Sequence, residues 1–529
     1  MLQRKQIRRI VCILLGMCML TGCSNEIQNV VDNAAAQVEK EEVLSLGMTP
    51  EFDYEVPVML PSILVDQVGY GVESSKIAVF TGEDLPYGFS VIDKETRQVV
   101  YEGKIEEKGY DEITGNYISY GDFTRLEEEG EYYIQADVIG QSYPFQISKE
   151  PYEEVFNTAL KQYYYNRCGT TLSAQLAGNA AHNACHTKEA QQKEEASVKL
   201  DVSGGWHVDE NGNRDVIKGC QAVNYLLLAY EMYPDVFSDE VGIPESGNEI
   251  PDVLDEVTYE ITWLLKMQDS TSGAVYGAVN NVDSKNAGYI LYLDSITMDA
   301  TIQFAATMAK FSYLYQNYDH AFATQCLKAA DRAYRYAEKY LEDVEPEQYF
   351  YAATEMYRAT GNYGYHTAII NYLTQNQTLD MVNDFVFWGT VTYLSTKQRV
   401  DVNLCSSSIK ILMQQAERIS YAAKNSRLLV DEEKIQKSNS ELLQDITRLS
   451  VVDHIITNHE YATVLENYLH YFLGRNLQSV SYLDGAGDRS YREIDEKQGI
   501  MNQVDLDAQL LLMMSAVLNC EEEFIVSIS

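Results

Sequence analysis

Residues 251–268 read PDVLDEVTYEITWLLKMQ, and residues 297–315 read TMDATIQFAATMAKFSYLY. Both runs are too long for a strand, and apolar residues recur on every side of a helical wheel rather than along one stripe. A helix apolar all round must be packed between neighbours. The same texture returns at 219–233, 320–341, 402–424 and 461–473. The chain from Tyr152 to its end is therefore predicted to be helical. No sequence repeat is visible, but so long a succession of helix pairs predicts an α/α toroid or an irregular bundle.

Upstream the period changes. Between 62 and 148, short β-type runs at 63–68, 76–80, 89–93, 117–123, 130–138 and 141–147 are separated by Gly, Asp and Glu turns, the pattern of a small β-sandwich. Before it, Arg4, Lys5, Arg8 and Arg9 precede the apolar run 10–20, which ends in Leu20-Thr21-Gly22-Cys23. This reads as a secretory signal over 1–22 that closes in a lipobox. Cys23 is the expected lipidation site and 23–61 a polar tether. The expected location is the extracellular face of the cell membrane.

Composition narrows the function. Among 529 residues, 79 Asp+Glu against 40 Lys+Arg give a formal charge of −39, which leaves no basic stripe for nucleic acid. A hydrophobic share of 46% supports a large core and argues against disorder. Of nine cysteines, Cys12 and Cys18 fall in the signal, and those left after Cys23 are too few for a disulfide framework in so long a chain.

Several motifs, taken in order, resemble glycoside hydrolase family 9, the cellulase family. They are 65–70 (VDQVGY), 163–170 (YYYNRCGT), 182–187 (HNACHT), 201–206 (DVSGGW), 243–268, 297–301 (TMDAT), 355–361 (EMYRATG) and 471–476 (YFLGRN). The resemblance implies an immunoglobulin-like β-sandwich at 62–148 followed by an (α/α)6 barrel at 152–529, mainly α overall. It also implies a β-1,4-linked glucan as partner and inverting hydrolysis as the family reaction. That reaction needs two carboxyl groups about 6.5–9.5 Å apart, one ionised as base and one protonated as acid.

At the positions where the family carries them, this chain departs. The family base lies in Asp-Ala-Gly-Asp directly after Gly-Gly-Trp, and the matching stretch Val208-Asp209-Glu210-Asn211 puts Asn211 at the base position. The family acid lies in Asn-Glu-Val, and Asn502-Gln503-Val504 puts Gln503 there. An amide holds a hydroxyl or a water but exchanges no proton near neutral pH. A family His-His-Arg loop after 485–488 is also missing. Nearby carboxylates offer substitutes: Asp209 as a replacement base, with Glu210 and Asp215 beside it, and Asp505 or Asp507 after the acid position. At 100° per residue Asp507 shares the helical face of Gln503, whereas Asp505 faces away. Trp206 and Asp201 are candidate substrate contacts, with Trp388 a further candidate for sugar stacking. The chain is thus expected to hydrolyse or bind β-glucan, or to be a scaffold lipoprotein that has lost its ligand.

The resemblance also implies metals. Cys168, Cys185, His186 and His207 occupy the positions of a zinc site found in some members, and two thiolates with two imidazoles make a closed, structural set. His182 is an alternative ligand. Asp252, Asp255 and Glu256 are candidates for calcium, which prefers hard oxygen ligands.

Overall fold

The computed structural model describes residues 61–193, 195–284, 288–435, 437–456, 459–483, 485–489 and 503–528, with only the backbone of Ser284 and of 520–528. The expected signal 1–22, Cys23, nearly all of the tether and Asn502 lie outside the described residues.

Nine strands build the N-terminal sandwich: β1 (Ile63–Leu64), β2 (Gly69–Gly71), β3 (Ile77–Thr81), β4 (Gly88–Asp93), β5 (Val99–Asp111), β6 (Asn116–Asp122), β7 (Gly130–Ala136), β8 (Gly140–Gln141) and β9 (Phe145–Ser148). They pair in the order β1-β3-β6-β5-β4-β7-β9-β2, with β8 on β7. Strand β5 serves two layers, pairing with β4 through its first half and with β6 through its second. Phe80, Phe89, Val91, Phe123, Tyr132, Ile134 and Phe145 fill the space between. Strand β1 stops well short of Val68. The reason is Asp66, whose Oδ1 accepts the backbone N–H groups of Val68 at 2.8 Å and Gly69 at 3.0 Å and so closes a turn.

Twelve helices longer than ten residues follow in the described residues: α1 (Glu153–Tyr165), α2 (Val216–Met232), α3 (Asp252–Lys266), α4 (Met298–Tyr315), α5 (His320–Lys339), α6 (Pro346–Thr360), α7 (Tyr363–Gln375), α8 (Asp384–Ser395), α9 (Val402–Asn425), α10 (Asn439–Ile456), α11 (Ala462–Phe472) and α12 (Val504–Ile528). The even-numbered helices form an inner ring. Helix α2 packs on α4 and α12, α4 on α6, α6 on α8 and α10 on α12, while an ion pair between Arg448 and Asp384 joins α10 to α8. The odd-numbered helices pack outside them. The architecture is an (α/α)6 barrel behind an immunoglobulin-like sandwich.

Each outer helix returns the chain, so all inner helices run in parallel and their N-termini meet at one end of the barrel. Caps set that end: Asp215 accepts from Lys218 N, Thr297 from Ala300 N, and Asn383 from Phe385 N and Val386 N. At the opposite end, buried Arg358 bonds Glu231 and Glu355, each at 2.7 Å, beside buried Lys310. Between the 190s and 290s a small sheet, β11-β10-β15-β14-β12, is laid over the rim, made of Ala190–Gln192 (β10), Lys199–Leu200 (β11), Arg214–Asp215 (β12), Ala278–Ser284 (β14) and Gly288–Leu293 (β15). A two-stranded ribbon of Val275–Tyr276 (β13) and Ile296–Thr297 (β16) leads into α4.

Sandwich and barrel share a buried polar seam. Asp66 Oδ2 lies 2.9 Å from His470 Nδ1, Tyr152 donates to Gly69 O at 2.9 Å, and Gln67 donates to Leu473 O and Ser479 O, both at 2.9 Å.

Candidate functional site at the inner helix N-termini

The loop 207–213 enters α2 at the rim where the inner helices begin. Asp209 organises it: Oδ1 accepts from the N–H groups of Asn211 at 3.0 Å and Asn213 at 3.1 Å, and Oδ2 accepts from Asn213 Nδ2 at 2.7 Å. This is an Asx-type turn, in which the side chain replaces a backbone acceptor. Asn281 of β14 then clamps the loop by donating from its side chain to Asn211 O at 2.8 Å and from its backbone to Asn213 Oδ1 at 2.7 Å. The Asn211 side chain is exposed, and so is Glu210. Asp215 is occupied as the α2 cap, its Oδ1 accepting from Lys218 N at 2.9 Å.

Two of the sequence expectations need correction. Trp206 is not a sugar platform, because only 1% of it is exposed. Its ring packs on Tyr163 at 4.6 Å, its indole N–H points to Glu256 Oε2 at 3.4 Å, and its backbone N–H donates to Glu260 at 2.8 Å. Trp388 is likewise core. Asp201 is exposed and held by its own loop, accepting from Ser203 N and Oγ, bonds that lower its pKa.

On the acid side, α12 begins one residue after Gln503. Gln503 lies half-buried directly before α12, its carbonyl receiving the N–H groups of Leu506 and Asp507. Asp507, expected on the Gln503 face, is buried near Tyr163. Asp505 is the carboxyl that lies near the start of α2 and α8. It is half-buried, burial raises its pKa, and Lys218, Asp215 and Asp384 from the first turns of α2 and α8 surround it. Gln503 stands before the first residue of α12, so the wheel does not extend to it; the first turn packs on α1 and α2, with Tyr163 donating to Val504 O at 2.6 Å.

The four zinc candidates converge. One donor atom each from Cys168, Cys185, His186 and His207 lie within 4.8 Å of one another. Cys185 Sγ is 3.9 Å from Cys168 Sγ and 3.5 Å from His207 Nε2, and Cys168 Sγ is 3.7 Å from His186 Nδ1. A tetrahedron with the usual Zn–S and Zn–N bonds has edges of about 3.8 Å between sulfurs and about 3.6 Å from sulfur to nitrogen, so the donors fit that ion. Hydrogen bonds from Cys168, His186 and His207 pull the Cys185 thiol strongly toward thiolate, the form that binds metal. His182 lies outside this group and turns its Nδ1 to Asn183 O at 2.8 Å.

A second group gathers at α3. Asp239 joins Asp252 and Asp255, with oxygens within 4.8 Å of one another, while Glu256 leaves the predicted set. Glu256 is buried against Arg167, which also holds Glu245 at 2.9 Å. Buried Asp252 Oδ1 has no hydrogen-bond partner among the described residues. Asp239 carried no motif, so the sequence did not single it out.

A family model described as Glycosyl hydrolase family 9 matches residues 152–503, and one described as Cellulase N-terminal ig-like domain matches 60–141. The chain belongs to glycosyl hydrolase family 9. A Cellodextrinase of Butyrivibrio fibrisolvens is 29% identical over 480 residues, covering 82% of this chain and 86% of that protein. Endoglucanase D of Acetivibrio thermocellus is 27% identical over 483 residues, covering 84% and 75%. Among solved structures, a Bacteroides ovatus GH9 superposes with a TM-score of 0.77 at 21% identity over 87% of this chain and 99% of that one. In this family 9 chain Asn211 lies in the loop that leads into α2 and Gln503 directly before α12, both at the barrel rim.

Proposed function

We propose that this chain is a tethered β-1,4-glucan-binding protein of family 9 that has given up the family's proton transfers. Asn211 and Gln503 hold a sugar hydroxyl or a water where relatives place their base and acid. The observation that carries this reading is the commitment of the neighbouring carboxylates. Asp209 accepts three hydrogen bonds within its loop, Asp215 caps α2, and Asp507 is buried. General acid or base help is worth roughly 10²–10⁴-fold per group, so loss of both leaves little turnover. The glucan is carried over from the relatives' names, Cellodextrinase and Endoglucanase D.

A second reading is supported by Asp505. A carboxyl whose pKa burial raises, beside the acid position, has the character of a general acid. One experiment separates the two. Purified wild type, the Asn211→Asp/Gln503→Glu double variant and Asp505→Asn are compared on cello-oligosaccharides. Saturable binding without turnover in wild type, and turnover gained at least a hundredfold in the double variant, is the expected outcome. Strong wild-type turnover lost in Asp505→Asn would replace the binding reading with an active hydrolase.

Two supports complete the proposal. Cys168, Cys185, His186 and His207 would hold a structural zinc, whose four protein ligands leave no position for water, and Asp239, Asp252 and Asp255 would hold calcium. Lipid at Cys23 would fix the protein on the extracellular membrane face. Release of a Cys23→Ser variant into the medium is the expected result, and equal membrane retention would end that part. Among the described residues no helix is long and apolar enough to cross a membrane.

A further inference from the structure

At one end of the β-sandwich a concave pocket of about 440 Å³ opens between the loop 82–87 and strands β5 and β6. Tyr87, Pro86, Ile105, Glu107, Tyr117 and Ser119 line it. The register pairs Glu107 with Ser119 and Ile105 with Gly121. These positions belong to the inward face, because a side chain at Gly121 would strike Phe80 and Phe89 of the sandwich core. An inward face normally carries apolar residues, yet here it carries the buried Ser119, while its cross-strand partner Glu107 is exposed at the pocket mouth. The end of the sandwich is therefore an open concavity with Ser119 at its base and the Glu107 carboxylate at its rim.

Its wall is aromatic and set in orientation. Tyr87 is 75% exposed, its ring lying under Lys104 Nζ at 5.5 Å. Tyr117 is braced by Tyr110 at 5.0 Å between ring centroids. Small-molecule sites commonly measure about 300–1,000 Å³ and combine aromatic walls with a few convergent polar groups. A pyranose suits such a wall, since its C–H face packs on a ring while its hydroxyls donate to carboxylates. Glu83, Asp84 and Glu107 on the lining repel anionic sugars.

The geometry points to a second saccharide site in the sandwich, with Tyr87 as stacking platform and Glu107 and Ser119 as hydroxyl partners, for a neutral glucan oligosaccharide. The choice of β-1,4-glucan rests on the function proposed above; the site itself rests on the pocket. It makes the protein bivalent for one polymer, so that two weak sites add avidity.

Calorimetric titration of the full chain with cellotetraose tests this, using wild type, Tyr87→Phe and Tyr87→Ala. Tyr87 is exposed, so neither variant disturbs the core, and equal melting temperatures verify that. The expected result is two sites per chain in wild type and in Tyr87→Phe, with one site weakened roughly tenfold or more in Tyr87→Ala, the scale of one lost aromatic contact. One wild-type site unaffected by Tyr87→Ala would overturn the sandwich site and leave the barrel reading intact. One wild-type site abolished by Tyr87→Ala would support the sandwich site and overturn the barrel reading. No binding at all would overturn both.

Discussion

Gly212 connects the metal donors to the loop that carries Asn211. Its φ is +75°, and a Cβ there would come within 2.3 Å of His186 Cε1. His186 itself holds φ at +47°, an unusual value for a side chain of that size. Glycine is thus required twice, for its backbone and for the space it leaves to an imidazole. Gly212→Ala is expected to push His186 off the shared donor point and to lower zinc content well below one per chain, measured by plasma mass spectrometry. Cys185→Ser should do the same, and unchanged zinc in both variants would remove the proposed site. At this scale the sequence was partly legible. The four donors could be named because they fell on family motifs, and the structure brings them together. For Trp206 a motif gives position but not depth: its ring is sealed by Tyr163 and Glu256, residues 43 and 50 positions away.

At the scale of elements, apolar texture located helices to within a few residues, as the run 402–424 and α9 (Val402–Asn425) illustrate. Strand β5 escaped notice although it is the longest in the sandwich. Its sequence, VVYEGKIEEKGYD, alternates between partly buried and exposed positions, so no apolar run marks it. The rim sheet is equally hidden, since two of its five strands contain only two residues and one of these, β12, pairs across more than 60 positions. That sheet supplies Asn281, so a clamp on the Asn211 loop was missed with it. Asp215 illustrates how an element and the site are joined: it ends β12, caps α2 and faces Asp505. Asp215→Ala is expected to cost about 1 kcal/mol of stability, the usual value of an N-cap, while lowering glucan affinity through the frayed first turn. Urea unfolding and oligosaccharide titration on the same samples check both effects. A stability loss without any change in affinity would separate the α2 cap from the binding rim.

Across the whole molecule, several buried carboxyls make stability depend on pH. Burial raises Asp66 in the interdomain seam to about 8, despite hydrogen bonds from Gly69 and Val68 and the nearby Arg475. Burial likewise raises Glu260 to about 8 and Glu466 to about 7. Each of these groups keeps its proton in the folded chain over a range where the unfolded chain, with ordinary carboxylate values near 4, has released it. Their contribution to stability is therefore complete below about pH 4, shrinks as pH rises, and is gone once pH passes the folded values near 7 to 8. His470 works in the opposite sense: burial holds its pKa well below the usual imidazole range, so acidification below about pH 6 favours the unfolded chain. The two trends place maximal stability on the mildly acidic side of neutral. Melting temperature is expected to peak near pH 6 and fall by pH 9, where charge appears on Asp66 inside the seam. Ionic strength must be held constant across the series, because 79 acidic residues repel one another more strongly as screening weakens. Asp66→Asn isolates the seam: it keeps a neutral side chain at every pH and should flatten the alkaline decline. A decline equally steep in that variant would move its origin from the seam to Glu260 and Glu466 within the barrel.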